Sequence, residues 1–233
     1  MKFKKILIKL SGESLVSKGK TGIDVNCCKK IAEIIKECVK KKTEITIVVG
    51  AGNFWRGKNE DEFSRVQSDK IGMLATVMNA LAFSDILESI EVKTCVLSAI
   101  EISGIVEKFS LSKAINKIKK GNVLIFTCGI GSPFFSTDTA AALRASEIRS
   151  EIIFKATTTD GVYSSDPKYD PNAVKYEKIT FDDVIRKDLK IMDMTAISLC
   201  RENRIPVLVL NIEDIKLAID GKPAGTLIYS NSI

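Results

Sequence analysis

The feature that most constrains this chain is Gly129-Ile130-Gly131-Ser132-Pro133-Phe134-Phe135-Ser136-Thr137-Asp138, set between an apolar run and a run of helix formers. Val123-Leu124-Ile125-Phe126, β-branched and aromatic, predicts a buried strand before it. Ala141-Ala142-Leu143-Arg144-Ala145 predicts a helix after it. Glycines at the carboxyl end of a strand lie where an open α/β sheet binds its ligand. Ser136, Thr137 and Asp138 crowd the helix start, where backbone N–H groups lack partners and the dipole favours an anion. Alone, the stretch reads equally well as a capped strand-to-helix turn.

The same arrangement recurs twice. Ile6 to Leu10 predicts a strand that leaves through Ser11-Gly12-Glu13-Ser14, and Ile45 to Val49 runs straight into Gly50-Ala51-Gly52-Asn53. Three glycine turns at strand ends make one anion-binding rim, because glycine lets backbone N–H groups close on phosphate oxygens. Lys9 and Lys155 stand near the ends of apolar strands, where a lysine is costly unless paired or bound to an anion. Trp55 occupies the place of the third glycine of a dinucleotide fingerprint, and no Walker pattern occurs.

Further strands are predicted at Lys93 to Leu97, Glu151 to Ala156 and Val207 to Leu210. Helices are predicted after an Asp24 N-cap and at Ser110 to Lys120, Thr195 to Glu202 and Asp214 to Ile219. A long helix from Asp69 to Leu87 carries Met73, Val77, Leu81 and Leu87 on more than one side, as a subunit contact would require. Lys58 to Ser68 reads as an exposed loop or frayed helix start, and the Asp-Pro steps at 166–167 and 170–171 as loop. Strands alternating with helices predict an α/β three-layer sandwich: a mainly parallel central sheet covered by helices on both faces.

The chain of 233 residues, 45% hydrophobic, can bury a sizeable core. Its net charge of +6 suits phosphorylated small molecules but is too diffuse to argue for nucleic acid. With no histidine, Ser-His-Asp and Cys-His nucleophile systems, phosphohistidine chemistry and histidine metal sites are excluded. The six cysteines lack C-x-x-C spacing and read as reduced thiols of a cytoplasmic protein, Cys28 and Cys38 in the core. No metal site, signal peptide or run of membrane-spanning length is read from the sequence.

Lys9-Leu10-Ser11-Gly12-Glu13, the turn from Gly50 to Gly57, the 129–141 stretch and Lys155-Ala156-Thr157 with Asp160-Gly161-Val162-Tyr163 together resemble the bacterial uridylate kinases of the amino acid kinase family. The likeness extends to Met73–Asn79 and Lys190–Asp193 and covers almost the whole chain, as a single domain over 1–233. It implies an acceptor-binding part over roughly 1–150 and an ATP-binding part over roughly 151–233. The implied activity is UMP kinase, transferring the γ-phosphoryl group of ATP to UMP on the route to UTP and CTP.

The same resemblance implies residue roles. Lys9, Leu10, Ser11, Gly12 and Gly52 would hold ATP phosphates, with Lys9, Lys155 and Asp138 as the catalytic group. Thr157, Tyr163 and Asp166 would bind adenosine. Arg56 is implied on both nucleotides, gripping the UMP phosphate, and Asp69 holds the uridine part. Ala51 and the run Ile130, Gly131, Ser132, Pro133, Phe134, Phe135, Ser136 and Thr137 would wrap UMP, Ser136 and Thr137 through their hydroxyls. Gly22-Ile23-Asp24 matches a segment associated with GTP activation. Mg²⁺ would be held mainly by the nucleotide phosphates. A homohexamer, GTP activation and UTP inhibition are further expectations. Ala51, Ile130, Ser132 and Thr158 depart from the usual forms. Two rivals remain open at this level: a carboxylate kinase of the same fold, and a nucleotide sensor without catalysis.

Overall fold

The computed structural model describes residues 3–56 and 63–231. Gly57 and residues 58–62 of the expected polar loop lie outside them. In chain order the elements are β1 (Lys5–Leu10), α1 (Val25–Lys40), β2 (Glu44–Val49), α2 (Arg65–Ser89), β3 (Thr94–Ser98), β4 (Glu107–Lys108), α3 (Leu111–Lys119), β5 (Val123–Thr127), α4 (Thr137–Ile148) and β6 (Ile152–Thr157). There follow β7 (Val162–Tyr163), β8 (Lys175–Tyr176), β9 (Lys178–Thr180), α5 (Phe181–Arg186), α6 (Met194–Glu202), β10 (Val207–Asn211), α7 (Ile215–Ile219) and β11 (Thr226–Tyr229).

The main sheet has nine strands in the order β4-β3-β5-β2-β1-β6-β10-β11-β9. Neighbours run parallel except at β10 and β11, which are antiparallel. Alternation along β1 shows how the layers form. Ile6, Ile8 and Leu10 face one side with Cys28, Ile31 and Ile35 of α1 and Phe83 and Leu87 of α2. Leu7 faces the other with Ala141 and Ala145 of α4 and Ala196 and Cys200 of α6. Both faces are thus covered, and the expected three-layer sandwich is present.

Caps define the helix starts. Asp24 accepts from the N–H groups of Asn26 (2.9 Å) and Cys27 (3.3 Å), as its place before an amphipathic run predicts. Cys28 and Cys38 lie on the inner face of α1, and burial pushes the Cys38 thiol up to about 12, which keeps it inert. The helix expected from Asp69 begins four residues earlier, at Arg65, because Ser64 caps it. This 25-residue helix is also long and apolar enough, by length and composition, to cross a membrane, which the sequence reading did not expect. Here its inner face packs Ala80, Phe83 and Leu87 against the sheet, while Leu74, Met78 and Leu81 form an exposed apolar stripe at helical spacing.

Candidate active site

The three glycine turns leave the carboxyl ends of β1, β2 and β5, which stand side by side in the sheet. The first two pack backbone against backbone. A Cβ added at Gly12 would meet Asn53 Oδ1 at 2.5 Å and Gly52 N at 2.6 Å, so any side chain there drives the turns apart. Buried Asn53 and Asn79 clamp this junction. Asn53 Nδ2 donates to Asn79 Oδ1 (2.8 Å) and to the Gly22 carbonyl (2.7 Å). Asn79 Nδ2 donates back to Asn53 Oδ1 (2.7 Å) and to the Gly50 carbonyl (2.8 Å). The amide pair therefore fastens the Gly50–Gly52 turn to α2 and to the Gly22 loop. Sequence reading missed it; the one signal was an asparagine in the largely apolar middle of α2.

The third turn is held in an unusual backbone. Cys128, Gly129, Gly131 and Phe134 all have positive φ, from 56° to 89°. For Cys128 and Phe134 that conformation is strained and persists only where the surroundings enforce it. Thr76 Oγ1 accepts from the Cys128 N–H at 2.8 Å, and an Asp69 oxygen accepts from the Phe134 N–H at 2.7 Å. Asp69 also takes the Arg65 Nε–H. Ile130, partly buried, packs against the core, whereas Phe134 and Phe135 stand exposed.

Between these turns and α2 lies a cavity of about 250 Å³. Ala51, Gly52, Trp55, Asp69, Gly72, Met73, Thr76, Gly129, Ser132, Phe135, Ser136 and Thr137 line it. Arg56 is not among the lining residues and pairs with Glu13 of the first turn.

Beside the cavity, one residue beyond Thr137, Asp138 sits between two lysines. Lys9 and Lys155 are register partners on the adjacent parallel strands β1 and β6. Lys9 Nζ lies 2.9 Å from Asp138 Oδ1, and Lys155 Nζ lies 2.7 Å from Oδ2. All three side chains are 12–14% exposed. Burial pushes the Asp138 carboxyl up, but Lys9 and Lys155 outweigh it and hold the group below its ordinary value. Burial, with repulsion from Lys9, holds the Lys155 ammonium below the usual lysine value, although Asp138 pulls the other way. One carboxylate against two ammonium groups leaves the cluster one positive charge in excess. Such a cluster can attract an anion. Because β6 lies between β1 and β10, Lys155 stands on a central strand of the sheet.

Of the residues expected for adenosine, Thr157 lies on β6, Tyr163 on β7 and Asp166 in the loop after it. Thr157 follows Lys155 on β6 and accepts from the Thr159 N–H (3.0 Å). Tyr163 donates to Asp160 (2.8 Å), and Asp166 receives the Lys168 N–H (2.9 Å) in the loop after β7. Leu10 is fully buried, its carbonyl accepting from the Gly50 N–H (2.9 Å), and Ser11 caps the short 3₁₀ turn Gly12–Leu15. Gly22, Ile23 and Asp24 lie behind the Asn53 clamp, the Asp24 carboxylate taken up as the α1 cap. Of the turn expected to wrap UMP, Ile130, Gly131, Pro133 and Phe134 are not among the cavity walls. Among the described residues no three carboxylate or thiol side chains converge as a metal site.

With this geometry in view, the similarities of the chain are specific. A model of the amino acid kinase family matches residues 4–211. A uridylate kinase from Baumannia cicadellinicola subsp. Homalodisca coagulata is 44% identical over 236 residues, covering 99% of this chain and 95% of that protein. The crystal structure of a UMP kinase from Bacillus anthracis superimposes with a TM-score of 0.97 at 32% identity, covering 100% of this chain and 98% of that one. The crystal structure of a UMP kinase from Ureaplasma parvum gives a TM-score of 0.92 at 40% identity, covering 99% and 100%.

Proposed function

Because this chain belongs to the amino acid kinase family, we propose that its cleft transfers the γ-phosphoryl group of ATP to UMP, giving UDP and ADP reversibly. The observation that carries this reading is Asp138 clamped between Lys9 and Lys155 beside a glycine-lined cavity. The step serves pyrimidine nucleotide synthesis in the cytoplasm.

The chemistry needs no histidine. The acceptor is a phosphate oxygen, largely ionised near neutral pH because its second pKa is about 6. No base has to remove a proton. What the transfer needs is in-line alignment and positive charge where negative charge spreads over the moving phosphoryl group. Lys9 and Lys155 supply that charge, and Asp138 fixes where they point. Backbone N–H groups of the Ser11–Gly12 and Gly52 turns cradle ATP phosphates, and Thr157, Tyr163 and Asp166 take the adenosine. Ala51, Asp69 and the 130–137 turn wrap UMP. Arg56, freed from Glu13, swings to phosphate on either nucleotide. Residues up to about 150 thus serve the acceptor and the remainder the donor. Mg²⁺ bound to the ATP phosphates would screen their charge, and no all-protein cage would be needed to hold it.

The cavity lining implies selectivity. Backbone groups of the 129–137 turn have fixed positions and cannot suit both uracil, with an N–H between two carbonyls, and cytosine, with an acceptor beside an amine. Each mismatch leaves buried groups unpaired at about 1–3 kcal/mol, or roughly 5- to 150-fold. UMP is therefore expected to be phosphorylated in strong preference to CMP, with no activity on acetylglutamate or aspartate. A coupled ADP-release assay over that panel tests the reading. Equal rates with UMP and CMP defeat base recognition, activity on the amino acids favours a carboxylate kinase, and UMP binding without turnover favours a sensor.

Assembly follows from α2. The exposed stripe of Leu74 (54%), Met78 (47%) and Leu81 (38%) lies opposite the buried face, and a second copy of the helix would cover it. In the proposed assembly such dimers build a homohexamer, which GTP activates and UTP inhibits. Leu74→Glu is expected to reduce the particle mass in light scattering at micromolar concentration. A wild-type chain that is already monomeric there would contradict this.

A further inference from the structure

We propose that Asp193 is a positioning residue that locks the first turn of α4, and with it Asp138, to the start of α6. The proposal rests on the phosphoryl-transfer reading above and adds a residue to it.

The hydrogen-bond bookkeeping around Ser136 carries the inference. Ser136 is the N-cap of α4, and its Oγ accepts from the N–H groups of Asp138 (2.9 Å) and Thr139 (3.2 Å). Its single hydroxyl hydrogen goes to Asp193 Oδ2. A hydroxyl has one donor and two acceptor sites, so this side chain is saturated. In this arrangement its hydroxyl hydrogen faces Asp193 and not the cavity. The other Asp193 oxygen, Oδ1, accepts from buried Thr139 Oγ1 (2.8 Å) and from the Ala196 N–H (3.0 Å), capping α6. One carboxylate therefore ties two helix N-termini together, 57 residues apart in the chain.

Asp138 is the second residue of α4, and its N–H is one of the two that Ser136 holds. Its side chain points the other way, between Lys9 and Lys155. The line Asp193–Ser136–Asp138 thus sets where the carboxylate stands and which way the lysines aim. Asp193 needs its full negative charge for this task. In Asp193→Asn the amide nitrogen would present hydrogens to Ser136 Oγ, which could accept them only by giving up an α4 amide.

The test is Asp193→Asn in the full chain, with Asp193→Ser beside it. Serine still caps α6 but is too short to reach Ser136, so a folded variant is secured. Misplacement of catalytic groups by a fraction of an ångström to an ångström costs up to about 10²-fold. Both variants should lose roughly 10- to 100-fold in kcat for UMP phosphorylation, with KM for ATP and UMP within about threefold of wild type. Ser136→Ala added to Asp193→Asn should cost less than twofold more, because both act through one link. Amide exchange at Asp138 and Thr139 should be faster in the Asp193 variants, a readout independent of any activity. Wild-type kcat in a folded variant, additive losses, or unchanged exchange at those two amides overturns the proposal. A wild-type chain inactive on UMP would defeat the phosphoryl-transfer reading instead, leaving the exchange result to judge the link alone.

Discussion

Lys9→Ala is expected to leave a folded protein whose kcat is lower by roughly 10²-fold or more, the usual cost of removing a preorganised electrostatic contact. Folding survives for a reason visible in the cluster. Asp138 keeps Lys155 at 2.7 Å when Lys9 is gone, so no buried carboxylate is stranded. The excess positive charge of the trio disappears, and with it the attraction for the moving phosphoryl group. Truncation also opens space at the end of β1, where Lys9 is only 13% exposed, but the loss is of methylenes at a cleft and not of a sealed core. Circular dichroism establishes the fold, and steady-state turnover with saturating ATP and UMP checks the expectation. Near-normal turnover in the folded variant would remove Lys9 from the catalytic group.

Asp138→Asn is expected to damage both activity and stability. The variant keeps the shape but removes the charge that holds two part-buried ammonium groups together. Removing one partner of a buried ion pair costs on the order of 3 kcal/mol, and water entering from the cleft should reduce that somewhat. Turnover should fall by about 10²-fold or more, since both lysines lose their orientation together. The pH dependence carries the sign. The folded-state pKa of Asp138 lies below its ordinary value of 3.8. Its contribution to stability is therefore fully present above that value and is lost as pH falls through the lower, folded value. Denaturant titrations should show wild type more stable than the variant by a constant margin from neutral pH to about pH 5, the margin shrinking as pH falls further. A margin that does not change with pH would mean that Asp138 is not held ionised by the lysines.

How much of this was legible beforehand follows from what each feature depends on. β1, β2, β5 and β6 were readable because each is a continuous apolar run ending in a turn. Lys9 and Lys155 stood out as charges in such runs, and Asp138 as an acid in a helix's first turn. The edge of the sheet was not readable: β9 has three residues and α5 six, too short for any period to show. The start of α2 was placed too late because its first turn presents polar Arg65 and Gln67 to solvent, as a loop would. The links that make the site a unit, Asn53 with Asn79 and Asp193 with Ser136, are tertiary. Asn53, Ser136 and Asp193 alone read as turn or cap residues and Asn79 as a polar position in a helix, and only the fold brings the partners together.

The central claim, that this cleft moves a phosphoryl group from ATP onto the phosphate of UMP, is tested most directly by following the group itself. The chain is incubated with UMP and ATP labelled in its γ-phosphoryl group, and the products are separated. The label should appear in UDP as its β-phosphoryl group, in equal amount to the ADP released. Label found only in inorganic phosphate, or left in ATP while UMP is bound, would contradict the account.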